Sequence, residues 1–299
     1  MSLKVNSKLE KNAPLVATTL SLVLAVVKLI VGLMSGSVAL LASAMDSIMD
    51  MFVSVFNFLA LRISDKKPTD EFSYGYGKVE AIVATLEGLL VFGSGLFIIY
   101  EAVKKLLNGE EVTHLGLSMG VMLFSLVVVF GLVSFLAYVV KKTNNLVIKA
   151  DLLHYKTDLY SNSAVLVSLV IIYFTDFFWI DVVFGLAIGV YILKEASELI
   201  KEGVEVLLDV SLDKEEVQKI IDVIKSDKDV EDYHFLKTRH AGKFKFVEVH
   251  LVLGRDKSLM EAHVIADRVE DKIKELDPES NWHIMIHLDP VDDSAAHSF

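Results

Sequence analysis

The chain has 299 residues, 53 % of them hydrophobic, with a mean hydropathy of +0.50, which is too apolar for an ordinary soluble domain and points to a membrane protein with one polar portion. A formal charge of −11 argues against a nucleic-acid footprint. Cysteine is absent, so disulfides and thiolate metal sites are excluded and any metal must be held by His, Asp or Glu.

The first ten residues, MSLKVNSKLE, lack the apolar core and cleavage site of a signal peptide, and the amino terminus is expected to be retained. Six apolar segments follow, at about 13–34, 38–63, 79–107, 115–140, 146–175 and 179–208. At 1.5 Å per residue each is long enough for a helix to cross roughly 30 Å of hydrocarbon. The second carries Asp46 and Asp50, the third Glu80 and Glu87, the fifth His154 and Asp158, and the sixth Glu195 and Glu198. The fourth has no charge between 115 and 140. Connections are short after the first helix (Ser35-Gly36-Ser37) and the fifth (Asp176-Phe177-Phe178). Lys11, Arg62, Lys66, Lys67, Lys78, Lys141 and Lys142 fall at the ends opposite those turns, whereas Lys104 and Lys105 flank the other side. That asymmetry predicts a multi-pass membrane protein with both termini in the cytoplasm. In the sixth segment Gly185 and Gly189 form a small-xxx-small pair, which fits either close helix approach or the general abundance of Gly in membrane helices.

Beyond 208 the composition turns polar, dividing the chain into a six-helix transmembrane domain at 1–208 and a cytoplasmic domain at 209–299. Residues 213–225 have helical periodicity, with Val217, Ile220, Ile221 and Ile224 on one side. A strand is predicted at 232–240. A second lies in 243–254, where Val247, Val249, Leu251 and Leu253 alternate with Glu248 and His250. A helix at 258–276 and a strand at 281–288 complete the order helix, strand, strand, helix, strand. This is a two-layer α+β domain of the ferredoxin or metallochaperone sort without its first strand. At about 90 residues its core is thin, so pairing with a second copy is expected.

The polar residues inside the apolar segments fall into two stripes. Asp46, Asp50, Ser54 and Asn57 share one helix face, and Asp151, His154, Asp158 and Asn162 share another. Asp46 and Asp50 could instead bind helix-terminal amides or pair with Lys, and His154 could be a satisfied interior histidine. Two such pairs in one chain argue for a joint role, because ionisable groups at membrane depth face a pathway or each other. Three carboxylates and one imidazole suit a divalent ion taking mixed N/O ligands, with Zn²⁺ the best match; Mg²⁺ and Ca²⁺ prefer all-oxygen shells. Crowded carboxylates take up protons when the metal is absent, so metal arrival expels them and the site exchanges metal for H⁺.

Asp46-x-x-x-Asp50 with His154-x-x-x-Asp158, the segment Tyr74-Gly75-Tyr76-Gly77-Lys78, Leu207-Leu208-Asp209 and the closing Ile286-His287-Leu288-Asp289-Pro290 resemble the cation diffusion facilitator family, bacterial zinc exporters in particular, over essentially the whole chain. The resemblance implies a homodimeric, six-span, proton-coupled exporter of Zn²⁺ or a related ion (Cd²⁺, Fe²⁺ or Mn²⁺) with Asp46, Asp50, His154 and Asp158 as its transport site. It also implies an apolar gate at Leu153 and a charge pair of Lys78 with Asp209. Its cytoplasmic zinc ligands match His234, His250, His263, His287 and Asp289, which in this fold could converge on one zinc ion or on two bridged by Asp289. The chain departs from the family in the loop after the second helix, where Thr69, Phe72 and Tyr76 stand at the positions of an additional metal site; that site is expected to be lost. His240, His283, His297 and His114 match no such role, although His283 shares the strand face of His287. Two other readings are a membrane-embedded hydrolase using Asp46 and Asp158 as an acid/base pair, and a metal sensor merely anchored by its helices. No H-E-x-x-H or Gly-rich catalytic motif supports the hydrolase.

Overall fold

The computed structural model describes residues 2–35, 38–108, 118–175, 179–278 and 280–292. His114 and His297 lie outside them. The chain divides into two compact units, Met1–Val204 and Glu205–Phe299.

The first unit is built of six long helices: α1 (Ser2–Ser35), α2 (Val38–Ser64), α3 (Lys78–Asn108), α4 (Ser118–Thr143), α5 (Leu146–Thr175) and α6 (Trp179–Leu207). Among the described residues four stretches are long and apolar enough to cross a membrane: Leu9–Met34, Ser43–Ser64, Lys78–Lys104 and Leu123–Thr143. Helices α5 and α6, of 30 and 29 residues, have the length for a span but carry more polar side chains. Helix α1 starts well before its apolar stretch. Its Pro14 removes one amide from the ladder, and the Thr18 hydroxyl donates to the Pro14 carbonyl at 2.7 Å. Helix α5 starts at a specific cap. Asn144 turns left-handed (φ 49°), and Asn145 Oδ1 accepts the amides of Val147 (3.0 Å) and Ile148 (3.3 Å). The Asn145 amide donates to Glu80 Oε2 at 2.8 Å and Ser64 Oγ to Glu80 Oε1 at 2.7 Å, so this buried glutamate is a fully hydrogen-bonded brace between α2, α3 and α5.

Two apolar clusters hold the bundle together. One joins α1, α2, α4 and α5 through residues such as Ala17, Leu61, Leu136, Ile148 and Tyr155. The other joins α3, α5 and α6 through Ala84, Val91, Leu153, Ile192 and Leu199. The α3–α6 approach depends on glycine. A Cβ on Gly189 would stand 2.5 Å from Ile99 Cγ1 and 3.3 Å from the Gly95 carbonyl, and one on Gly185 would stand 3.1 Å from Ala102 Cβ. The pair is therefore a packing device rather than a compositional accident.

The second unit contains α7 (Lys214–Ser226), β1 (Asp232–Ala241), β2 (Phe244–Val252), α8 (Leu259–Leu276) and β3 (Asn281–Asp289). The sheet order is β1-β2-β3, with β1 antiparallel and β3 parallel to β2. A parallel neighbour requires a crossover, which α8 supplies. The alternation along β2 does what its period requires: Val247, Val249, Leu251 and Leu253 are buried with Ile220 and Ile224 of α7 and Ile265, Val269 and Ile273 of α8. Helix α8 begins at a capping box of Ser258 with Glu261. Asp227, after α7, is clamped to α8 by Arg268 (2.9 Å) and Lys272 (3.3 Å). The opposite sheet face carries cross-strand rungs. Arg239, Phe246 and His283 are register partners, as are His234, His250 and His287.

Candidate metal sites

In the helical unit, α2 and α5 bring three predicted ligands together. His154 Nε2 lies 3.0 Å from Asp50 Oδ1 and 3.8 Å from Asp158 Oδ2, and the three ligand atoms lie within 4.8 Å of one another. A tetrahedron with metal–ligand bonds near 2.0 Å has edges of about 3.3 Å, so these spacings match a four-coordinate ion with small adjustments. Asp46, one turn earlier on α2, is exposed and does not belong to this group among the described residues. Leu153, the residue before His154, packs among Ala84, Ala150, Ile192 and Leu199. Lys28 of α1 was passed over in the sequence, although a lone charge in the 13–34 segment was the available signal. Its Nζ donates to Ser47 Oγ at 2.8 Å and the Ser43 carbonyl at 3.4 Å, and its charge acts on Asp50, Asp158 and Asp46.

The stripes do not act as one surface. Asp50, His154 and Asp158 form the ligand group, whereas Ser54, Asn57 and Asp151 are buried in a hydrogen-bonded network. Ser54 Oγ lies 3.3 Å from Asp151 Oδ1 and 3.0 Å from the Tyr155 hydroxyl, which in turn contacts Ser21 Oγ of α1 at 2.7 Å. Asn162, at the other end of the stripe, donates to the Asp158 carbonyl at 2.8 Å.

The cytoplasmic unit holds a second group. Asp289 Oδ2 lies 2.9 Å from His250 Nδ1 and 3.2 Å from His234 Nε2, and Asp289 Oδ1 lies 3.1 Å from His287 Nε2. One carboxylate with both oxygens engaged by different imidazoles has the bridging arrangement that two adjacent metal ions would use. His234, His250 and Asp289 alone suffice for one ion, and His287 sits at the exposed margin. A bulge between His234 and Lys237 places His234 in this group. Phe235 adopts φ 50° there, a conformation rare for a bulky residue, and its ring contacts both His234 (4.8 Å) and His250 (5.3 Å). Asp292, 3.6 Å from His234 Nδ1, is a further carboxylate that strand periodicity could not have found. His263 stands apart on α8, exposed and 3.5 Å from Asp267 Oδ2. His283 stacks on Phe246 (5.1 Å, 11°), whose ring also carries the Arg239 guanidinium at 3.9 Å. Arg239 in turn holds Asp209 Oδ1 at 3.2 Å. In the loop, the Thr69 hydroxyl accepts the Phe72 amide (3.2 Å) and contacts the Tyr76 hydroxyl (3.2 Å), while the Phe72 and Tyr76 rings lie 4.8 Å apart. These three side chains brace the loop against itself.

A bundle of long apolar helices with a His/Asp group pooled between two of them, followed by an α+β domain with its own His/Asp group, is the architecture of a membrane transporter of metal cations. Residues 15–208 match the cation efflux transmembrane domain, and residues 212–291 the cytoplasmic domain of cation efflux proteins. The cation-efflux pump FieF of Serratia proteamaculans is 36 % identical over 284 residues, covering 95 % of this chain and 94 % of that protein. FieF of Salmonella arizonae is 34 % identical over 283 residues, covering 95 % and 93 %. The chain belongs to the cation efflux, or cation diffusion facilitator, family; it is a transporter and not an enzyme.

Proposed function

We propose that the protein exports Zn²⁺, with Cd²⁺ as a chemical mimic, across the inner membrane in exchange for protons and works as a homodimer with both termini in the cytoplasm. The convergence of Asp50, His154 and Asp158 from α2 and α5 carries this reading. Asp46, one turn before Asp50 on the same helix face, is the fourth ligand. An imidazole among carboxylates favours Zn²⁺ over Mn²⁺, and Fe²⁺ is the alternative that imidazole also accepts. Metal and proton compete for the same oxygens, so binding one releases the other.

In the cytoplasmic unit His234, His250, His287 and Asp289 hold a regulatory Zn²⁺, supported by donor spacings of 2.9 to 3.2 Å around Asp289. His263, exposed beside Asp267 on α8, stands outside this group. Metal here neutralises Asp289 and favours pairing of the two copies.

The test is zinc uptake into sealed vesicles with an internal pH dye. Asp50→Ala and Asp158→Ala are each expected to lower zinc flux at least a hundredfold, because each leaves two of the three converged ligands. Normal flux in either variant would remove the shared site.

A further inference from the structure

Glu87 of α3 and Asp151 of α5 are carboxylates outside the ligand group, 4 % and 0 % exposed. One oxygen of each is held. Glu87 Oε2 accepts from Asn57 Nδ2 at 3.1 Å and Asp151 Oδ1 from Ser54 Oγ at 3.3 Å, the two donors standing on one face of α2. The other oxygen of each, Glu87 Oε1 and Asp151 Oδ2, is buried with no hydrogen-bond partner among the described residues. The two carboxylates act electrostatically on each other, and the other titratable groups facing them are Asp50 on α2 and His154 and Tyr155 on α5. Helix α6 presents apolar Leu199 and Ile200 against the adjoining Gly88. Among the described residues no Lys or Arg pairs with either acid.

Two ionised carboxylates in that setting would each leave an oxygen desolvated and unpaired, which disfavours the doubly charged pair. A carboxylate is only an acceptor, whereas a neutral acid also has an O–H to donate. One proton shared by two neighbouring acids removes the like-charge repulsion as well.

We propose that in the metal-free protein Glu87 and Asp151 hold one proton between them, and that this pair is the proton store of the exchange. This rests on the proton-coupled reading above. When a divalent ion reaches Asp50, His154 and Asp158, its charge weakens the O–H bond of the pair; the proton passes to water and the carboxylate keeps the bonding electrons. Departure of the metal reverses the step. The store is distinct from the ligands, so protons counted per metal exceed what the ligand group alone releases.

The experiment uses the full chain in lipid nanodiscs with Zn²⁺ as the sole addition, reading infrared difference spectra and proton release in weak buffer. Wild-type protein is expected to lose a neutral carboxylic C=O band when zinc is added. Glu87→Gln, which keeps the bond to Asn57, and Asp151→Asn should each diminish that band and release about one proton fewer per zinc. Zinc should still bind both variants. No neutral-acid band in wild type, or a band and proton count unchanged in both variants, overturns the proposal. If Asp151→Asn does not fold, Glu87→Gln decides alone. Loss of the band in Glu87→Gln, together with no zinc-driven proton flux in wild-type vesicles, upholds the store and overturns the coupled-transport reading instead.

Discussion

His154 is the one nitrogen donor among the converged membrane ligands, and it touches both carboxylates through the same Nε2 atom. Replacing it with Asp makes the shell all oxygen and more negative, removing the borderline-soft donor that suits Zn²⁺ and Cd²⁺. In competitive vesicle uptake the Zn/Mn ratio of His154→Asp is expected to fall about tenfold or more, while total flux changes less. A ratio that stays or rises would mean that geometry and outer contacts set selectivity instead. Asp227 offers a residue-scale test outside the membrane. Burial pushes its carboxyl up, but the Asp229 amide, Lys272 and Arg268 outweigh burial and hold it below the usual range. A depressed acid contributes stability that is present above its unfolded value, near pH 4, and lost as pH falls through the folded one. Asp227→Asn should therefore destabilise α8 by about 1–3 kcal/mol at neutral pH. The difference from wild type should shrink in acid, as read by hydrogen exchange of the α8 amides. A pH-independent difference would assign the effect to packing alone.

Among the elements, α3 and α6 approach through small residues. A leucine at Gly189 would overlap Ile99 and press on the Gly95 carbonyl, and backbone cannot yield as a side-chain tip can. Gly189→Leu is expected to cost about 1–3 kcal/mol and to lower the thermal midpoint in detergent. Gly189→Ala should lie between it and wild type, and an unchanged midpoint in both would show that the helices separate there freely. The bulge in β1 works at the same scale. Regular pairing from Asp232 to Ala241 would continue the alternation, whereas the extra residue at Phe235 resets it and re-aims His234 toward His250 and Asp289.

For the whole molecule, two ligand groups in separate compact units predict separable metal occupancies. His250→Ala or Asp289→Ala is expected to remove the cytoplasmic zinc while leaving binding at Asp50, His154 and Asp158 nearly intact. Asp289→Ala should be the more severe, since its two oxygens face three imidazoles. Zinc stoichiometry of the purified full chain, with sedimentation to follow the dimer, checks both. Wild-type stoichiometry in both variants would remove His250 and Asp289 from the zinc site.

Much of this was determined by sequence alone, for a periodic reason. Long apolar runs permit little other than helices in a membrane, and a period of four puts Asp46 with Asp50 and His154 with Asp158 on single faces. Strict alternation in β2 likewise committed Val247, Val249 and Leu251 to one side and His250 to the other. Tertiary structure decided which members of a shared face meet. The α2 and α5 stripes each look continuous in sequence, yet packing joins Asp50 to His154 and Asp158, leaves Asp46 exposed, and seals Ser54, Asn57 and Asp151 inside with Glu87. Helix phase fixes a direction around one axis, but distance along and between axes depends on crossing and depth, which local spacing does not encode. For the same reason His287 joined His250 and Asp289 across parallel register while His283, on the same strand face, was taken by Phe246.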